Sequence, residues 1–249
     1  MFETAKLLRH FYTKETKGRL ISHKLFTYMH YFGFNGVSLI IPRNTVKYIT
    51  RNYIKVGMVP LRLKLKDGII INHFVESYGL FFEVIIDDEY NLKDLKKDSV
   101  VVDVGTNIGC VTVLAAKRYN VKKVYSFEPS SNNLKILKKN LKQNKCDNVI
   151  LSTSAVGKKE GKVKLQLHGS GTHSISSKKP AKSFELVNVT TLDEELKNER
   201  KIDLLKIDVE GAELDVLKGG PKTLKKTKRI VIELSELCSH DEIFEILRR

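Results

Sequence analysis

The alternation of strands and helices over residues 99–249 predicts an α/β domain, a parallel sheet with helices on both faces. An α+β extension over residues 1–98 precedes it. Three observations carry this prediction. Val100–Val104 is an apolar run broken by a single acid, fit for a strand buried on both faces. A turn bearing two glycines, Gly105 and Gly109, follows it at once. Further apolar runs at Ile202–Ile207 and Arg229–Leu234 recur at the spacing that crossover helices need.

The elements follow in order. The opening 34 residues are rich in aromatics, among them Phe2, Phe11, Tyr12, Phe26 and Tyr28, and read as one or two helices. Leu61–Lys66 alternates strictly, and Asp67-Gly68 then leads into Ile69–Ile71. This predicts a hairpin over residues 61–73 closed by a two-residue turn. Residues 110–119 read as a helix and Lys123–Phe127 as the second core strand. A helix then runs from Pro129 to about Asn144, with Leu134, Leu137, Lys138 and Leu141 on one face. Val149–Ser152 is the third core strand, and the alternation of Val163, Leu165 and Leu167 marks a half-exposed segment. Thr191-Leu-Asp-Glu194 is a capping box that opens a short helix, and Ser239-x-x-Glu242 is another near the end.

Composition narrows the function classes. The net charge is +15, and residues 1–66 hold thirteen Lys/Arg against two acids. A basic extension of this kind attracts nucleic acid, an anionic membrane surface or an acidic substrate, although genome or thermal bias yields the same excess of lysine. No run of about 18 apolar residues is present, so no membrane span is expected. The charged start, Met1–Lys6, does not read as a signal peptide, which predicts a cytoplasmic location. Cys110, Cys146 and Cys238 have no metal-type spacing and read as reduced thiols. No metal is expected.

The chemistry concentrates in Asp103-Val-Gly105-Thr106-Asn107-Ile-Gly109, at the end of the first core strand. Open α/β sheets bind ligands beyond the carboxyl ends of their strands, where the strand order reverses. Glycine lets the backbone turn tightly and approach a ligand with no Cβ in the way. Glu128 comes twenty-three residues after Gly105, and an acid there can accept both hydroxyls of a ribose; Pro129 follows it. A dinucleotide site shows G-x-G-x-x-G around a pyrophosphate. Here the spacing is D-x-G-x-x-x-G, and the acid would repel a pyrophosphate but suits the α-ammonium of a methionine moiety. The expected cofactor is therefore S-adenosyl-L-methionine, with an NAD-dependent oxidoreductase as a remote alternative.

Six segments meet a known family in its sequence order: VVDVGTNIG (101–109), VYSFEP (124–129), SAVGKKEGKVKLQ (154–166), VTTLDEEL (189–196), IDLLKIDVEGAELDVLKGG (202–220) and IVIEL (230–234). The chain resembles the FkbM methyltransferases over residues 100–235, most specifically in Lys206-Ile-Asp208-Val-Glu210-Gly211-Ala-Glu213. The resemblance implies a Rossmann-like class I methyltransferase sheet that methylates a hydroxyl oxygen, often on a sugar or natural product. It places Ser154 and Ala155 near the adenine ring, and the loop Gly169–Thr172 near the acceptor. Class I domains generally carry two strands beyond the fifth, and here those C-terminal strands are missing. The hairpin at 61–73 is expected to cover the edge they leave, packing the extension onto the core.

Asp208 and Glu210, beyond the fourth strand, are candidate bases or acceptor clamps. The plainer alternative has Asp208 orienting the cofactor's ammonium while Glu210 caps the helix that starts at Gly211. Lys206 is expected to pair with an acid. His173, beside the small-residue loop, is a third candidate base. The expected partner is a hydroxyl-bearing glycan or small metabolite, and the chain is expected to be a monomer or homodimer. An RNA methyltransferase gripping nucleic acid through its basic extension is the alternative.

Overall fold

A computed structural model describes residues 61–73, 84–85, 88–167, 173–174, 183–235 and 238–248. The helices expected in the first 34 residues, and the loop Gly169–Thr172, lie outside them. The chain divides into two compact units, Met1–Asp87 and Asp88–Arg249, so the boundary falls earlier than residue 98.

In the first unit, β1 (Leu61–Lys64) pairs antiparallel with β2 (Ile70–His73) in a two-stranded sheet of their own. The hairpin expected over residues 61–73 is present. Its turn is longer than the two residues expected. The Gly68 N–H donates to the Leu65 carbonyl, and the Leu65 N–H to that of Ile69, at 3.0 and 2.8 Å. A two-residue type I′ turn needs positive φ at both central residues, and only Gly68 has it, at 85°. Asp67 instead accepts the Ile69 N–H through its side chain, favouring the wider turn.

The second unit is built on β3 (Val100–Val104), β4 (Lys123–Phe127), β5 (Val149–Ser152), β10 (Leu204–Ile207) and β11 (Ile230–Ile232). All pair in parallel, in the order β11-β10-β3-β4-β5. Every residue of β3 is buried, as its continuous apolar run requires. Val100, Val102 and Val104 share one core with Phe127, Leu205, Ile207, Leu192 and Val216, and so turn one face of the sheet to the helices that follow Thr190. Asp103 occupies the opposite face, and its register partner on β10 is Lys206.

The helices that flank the site are short or interrupted. α1 (Cys110–Val113) passes into a π-helical turn at Leu114–Arg118, where a regular helix was expected through 119. α2 (Ser131–Gln143) buries Asn133, Leu134, Ile136, Leu137 and Asn140, and leaves Lys138 exposed, contrary to the expected face. Asn140 Nδ2 donates to the Ile108 carbonyl at 2.7 Å, fastening α2 to the turn after β3. α3 (Leu192–Glu195) is capped as expected, with Thr191 Oγ1 accepting the Glu194 N–H. α4 (Glu213–Lys218), α5 (Pro221–Lys225) and α6 (His240–Arg248) complete the unit.

A second sheet was not anticipated. β6 (Ala155–Val156), β7 (Gly161–Leu167), β8 (His173–Ser174) and β9 (Ser183–Thr190) pair in the order β6-β9-β7-β8. Its inner face gathers Ala155, Leu165 and Val187 with Val163, Leu167 and Val189, which explains the alternation along β7.

Candidate active site

β3 leads to β4 on one side, while its other neighbour is β10, so the strand order reverses between β3 and β10. Their carboxyl ends meet almost without a gap. A Cβ on Gly105 would lie 1.8 Å from the Asp208 carbonyl oxygen, and Gly105 has φ 78°. Asn107 and Gly109 are left-handed as well, with φ 56° and 92°. Glycine adopts that region freely and asparagine tolerates it, so the residue types at 105, 107 and 109 follow from the turn. A Cβ on Gly109 would meet Leu137 Cδ1 of α2 at 2.5 Å. The turn is pulled inward by the Gly105 and Thr106 N–H groups, both donating to the Phe127 carbonyl. The Thr106 hydroxyl also faces the interior, donating to the Asp103 carbonyl and accepting from Ser126.

Glu128, at the end of β4, is buried. Its Oε1 accepts the Ser130 N–H at 2.9 Å and its Oε2 the Asn107 N–H at 2.8 Å, so the carboxylate ties the glycine turn to the start of α2. The Asn133 side chain also hydrogen-bonds to this carboxylate, which leaves one of its four lone pairs for a ribose hydroxyl. Burial pushes this carboxyl up to about 7, against the pull of those donors and of Lys206. In the unfolded chain its ordinary value is 4.5. Between the two values the folded chain holds a proton that the unfolded chain has released, so its contribution to stability is full below 4.5 and is lost as pH rises to 7. Relative to Glu128→Gln, which stays neutral, the wild type is expected to lose on the order of 3 kcal/mol over that window. Urea unfolding of both proteins at pH 5 and 7.5 measures it.

The Asp103 side chain is fully buried. Its Oδ2 accepts the Thr112 hydroxyl at 2.7 Å, and its Oδ1 lies 3.2 Å from Lys206 Nζ. Lys206, equally buried, donates to the Gly105 carbonyl at 2.8 Å and sits 3.4 Å from Asp208 Oδ2. Its ammonium also lies 5.6 Å from the centre of the Tyr90 ring. Burial alone would pull this lysine down, but Asp103, Asp208 and Tyr90 outweigh it and hold it above its ordinary value. Burial also pushes the Tyr90 phenol up, so it stays neutral. The expectation that Lys206 pairs with an acid is met twice over.

Asp208 follows β10 directly, its N–H donating to the Val104 carbonyl and its side chain partly open to solvent. Glu210 is exposed, with φ 53°, and Gly211 has φ 109°. The helix starts at Glu213 rather than Gly211, no side chain caps it at Ala212, and Glu213 binds back to the turn before it. Its Oε1 accepts the Gly211 N–H at 2.8 Å and its Oε2 the Cys238 S–H at 2.6 Å. Tyr90 and Glu213 are therefore site-shaping residues absent from the sequence-derived set. The only signal for Glu213 was its place in the KIDVEGAE match.

The remaining candidates are spread more widely. Pro129 is half-buried between Glu128 and α2. Ser154 lies between β5 and β6, its N–H 3.4 Å from Ser152 Oγ, and Ala155 packs inside the second sheet. His173 belongs to β8, and its side chain lies outside the described residues.

Comparison with known proteins agrees with this geometry. "Methyltransferase 1" of Beauveria bassiana is 28% identical over 160 residues, covering 55% of this chain and 64% of that protein. The "Hexuronic acid methyltransferase AglP" of Haloferax volcanii is 28% identical over 164 residues, covering 63% and 64%. The chain thus spans just under two thirds of the length of these two relatives. The crystal structure of "Methyltransferase FkbM" from Methylobacillus flagellatus aligns at 20% identity with a TM-score of 0.43, covering 55% of this chain and 33% of that one. The model of the "Methyltransferase FkbM domain" matches residues 103–249, from the buried Asp103 through α6. The chain belongs to the FkbM methyltransferases.

Proposed function

We propose that this methyltransferase uses S-adenosyl-L-methionine to methylate a hydroxyl oxygen on a glycan or small metabolite. The observation that carries the cofactor reading is the contact of Gly105 with the Asp208 carbonyl, which leaves a side-chain-free cradle where the strand order reverses. The donor set suits the group. Glu128 offers a lone pair to a ribose hydroxyl, and the Asp103–Lys206–Asp208 cluster presents carboxylate to a cationic methionine end.

When bound, S-adenosyl-L-methionine supplies an electrophilic methyl group. The chain's own work is then alignment and proton removal. Asp208, partly open at the end of β10, is placed to accept the proton of an acceptor hydroxyl, and Lys206 holds its carboxylate in one orientation. The 28% identity to a hexuronic acid methyltransferase supports a sugar derivative as the acceptor class. The three cysteines, all unpaired, fit a reducing cytoplasm.

Calorimetric titration with S-adenosyl-L-methionine tests the cofactor, and a tritium-transfer screen of glycan, metabolite and RNA fractions tests the acceptor. Glu128→Ala is expected to weaken cofactor binding by roughly 1.5–3 kcal/mol at pH 8, where the carboxyl is ionised, through the loss of a hydrogen bond to a charged acceptor. Unchanged affinity in that variant would place the ribose elsewhere. Label entering RNA alone would replace the glycan reading.

A further inference from the structure

The Asp103–Lys206–Asp208 cluster combines two carboxylates and one ammonium within 3.4 Å. They sum to one net negative charge, most of it removed from water, since Asp103 and Lys206 are buried. Asp103 Oδ1 lies 3.2 Å from Lys206 Nζ, while the shorter contact of Lys206 is its donation to the Gly105 carbonyl at 2.8 Å. Tyr90, over the ammonium, adds no charge. Thr112 satisfies the far oxygen of Asp103 without neutralising it. A buried excess charge is costly unless it is compensated, and Asp208 is the member through which the cluster opens.

We propose that Lys206 is a specificity-determining residue: by holding the two carboxylates at one net negative charge, it makes the site select the sulfonium cofactor over its demethylated product. S-adenosylmethionine carries a sulfonium, an ammonium and a carboxylate, one net positive charge. S-adenosylhomocysteine lacks the sulfonium and is neutral overall. The two share every hydrogen-bonding group, so charge is the main property that can separate them at this site. Without Lys206 the two carboxylates would face each other with no cation between them. With Lys206 and only one carboxylate, the cluster would be neutral. The inference rests on the cofactor reading above.

A charge cycle tests it. Dissociation constants for S-adenosylmethionine and S-adenosylhomocysteine are measured by calorimetry on wild type, Asp103→Asn and the double variant Asp103→Asn/Lys206→Met. Asp103→Asn keeps an acceptor for Thr112 but makes the cluster neutral. It is expected to lower the preference for S-adenosylmethionine about tenfold or more, the effect of one unit charge at an effective dielectric near ~20. S-adenosylhomocysteine should bind within about threefold of wild type. The double variant leaves Asp208 as the only charge and should restore the preference. Titration stoichiometry reports the folded fraction in each variant, so a misfolded protein is not mistaken for a weak binder.

Two results would overturn the proposal while leaving the cofactor reading intact. One is an unchanged preference in Asp103→Asn, and the other is a double variant that falls further instead of recovering. A wild type that binds neither compound would remove the cofactor reading and the proposal together.

Discussion

Asp208→Asn is expected to lower turnover roughly 10²–10⁴-fold at saturating cofactor, the range for losing a positioned general base. The substitution is close to isosteric and the side chain is partly open to solvent, so the fold should persist. Asparagine can still touch Lys206 and an acceptor hydroxyl but cannot take the proton. Tritium transfer to the acceptor fraction identified in the screen measures the loss. The competing role, holding only the cofactor's ammonium, predicts that turnover recovers once cofactor is raised to saturation. A turnover near wild type would remove Asp208 from the reacting centre.

Gly105→Ala is expected to be more damaging than its single methyl group suggests. Its Cβ would lie 1.8 Å from the Asp208 carbonyl oxygen and 2.8 Å from the carbonyl carbon, both backbone atoms. No rotamer change relieves that collision, and φ 78° adds conformational strain. β3 and β10 would have to separate at the point where Asp208 donates its N–H to Val104. A loss of about 4 kcal/mol or more is expected, in the range reserved for severe core damage. Denaturant midpoints measure it. Gly68→Ala is the matched comparison, because Gly68 shares a positive φ but meets nothing within 4 Å. Equal losses in both variants would show that strain alone, rather than the strand contact, sets the cost.

The large sheet was legible because its signals are local. Val100–Val104 and Ile202–Ile207 are apolar runs of strand length, and the D-x-G-x-x-x-G spacing ties its glycines to one turn. The second sheet was not, because β8 is two residues long and β9 mixes exposed Phe184 and Leu186 with a half-buried inner face. Such a strand alternates between two apolar faces and shows little periodicity. The glycine turn after β3 could be read from residue types that the backbone demands. Tyr90, Lys206 and Glu213 matter through contacts across the fold. Lys206 meets its partners 103 and 101 positions away, at Asp103 and the Gly105 carbonyl, separations that leave no trace in local pattern. Capping geometry misled for a related reason. Glu210 stands where a cap would precede Gly211, but the left-handed pair Glu210–Gly211 delays the helix until Glu213.

The position of β3 between β4 and β10 has a consequence for how the molecule comes into being. β3 and β4 are joined by a short connection and can pair early, whereas β10 reaches β3 only after a loop of about a hundred residues has closed. Closing so long a loop is slow relative to local pairing. The seam between the early and late halves is the junction of Gly105 with Asp208, so the glycine turn meets its partner only after that long loop has closed. On the ribosome, Asp103 waits as an uncompensated acid until Lys206 has been synthesised and has docked. Cofactor should therefore bind neither nascent chains that end before β10 nor the refolding intermediates that precede its docking. On the proposed cofactor reading, bound cofactor would slow the separation of the two halves once they have joined, making ligand supply a determinant of the protein's lifetime as well as of its rate.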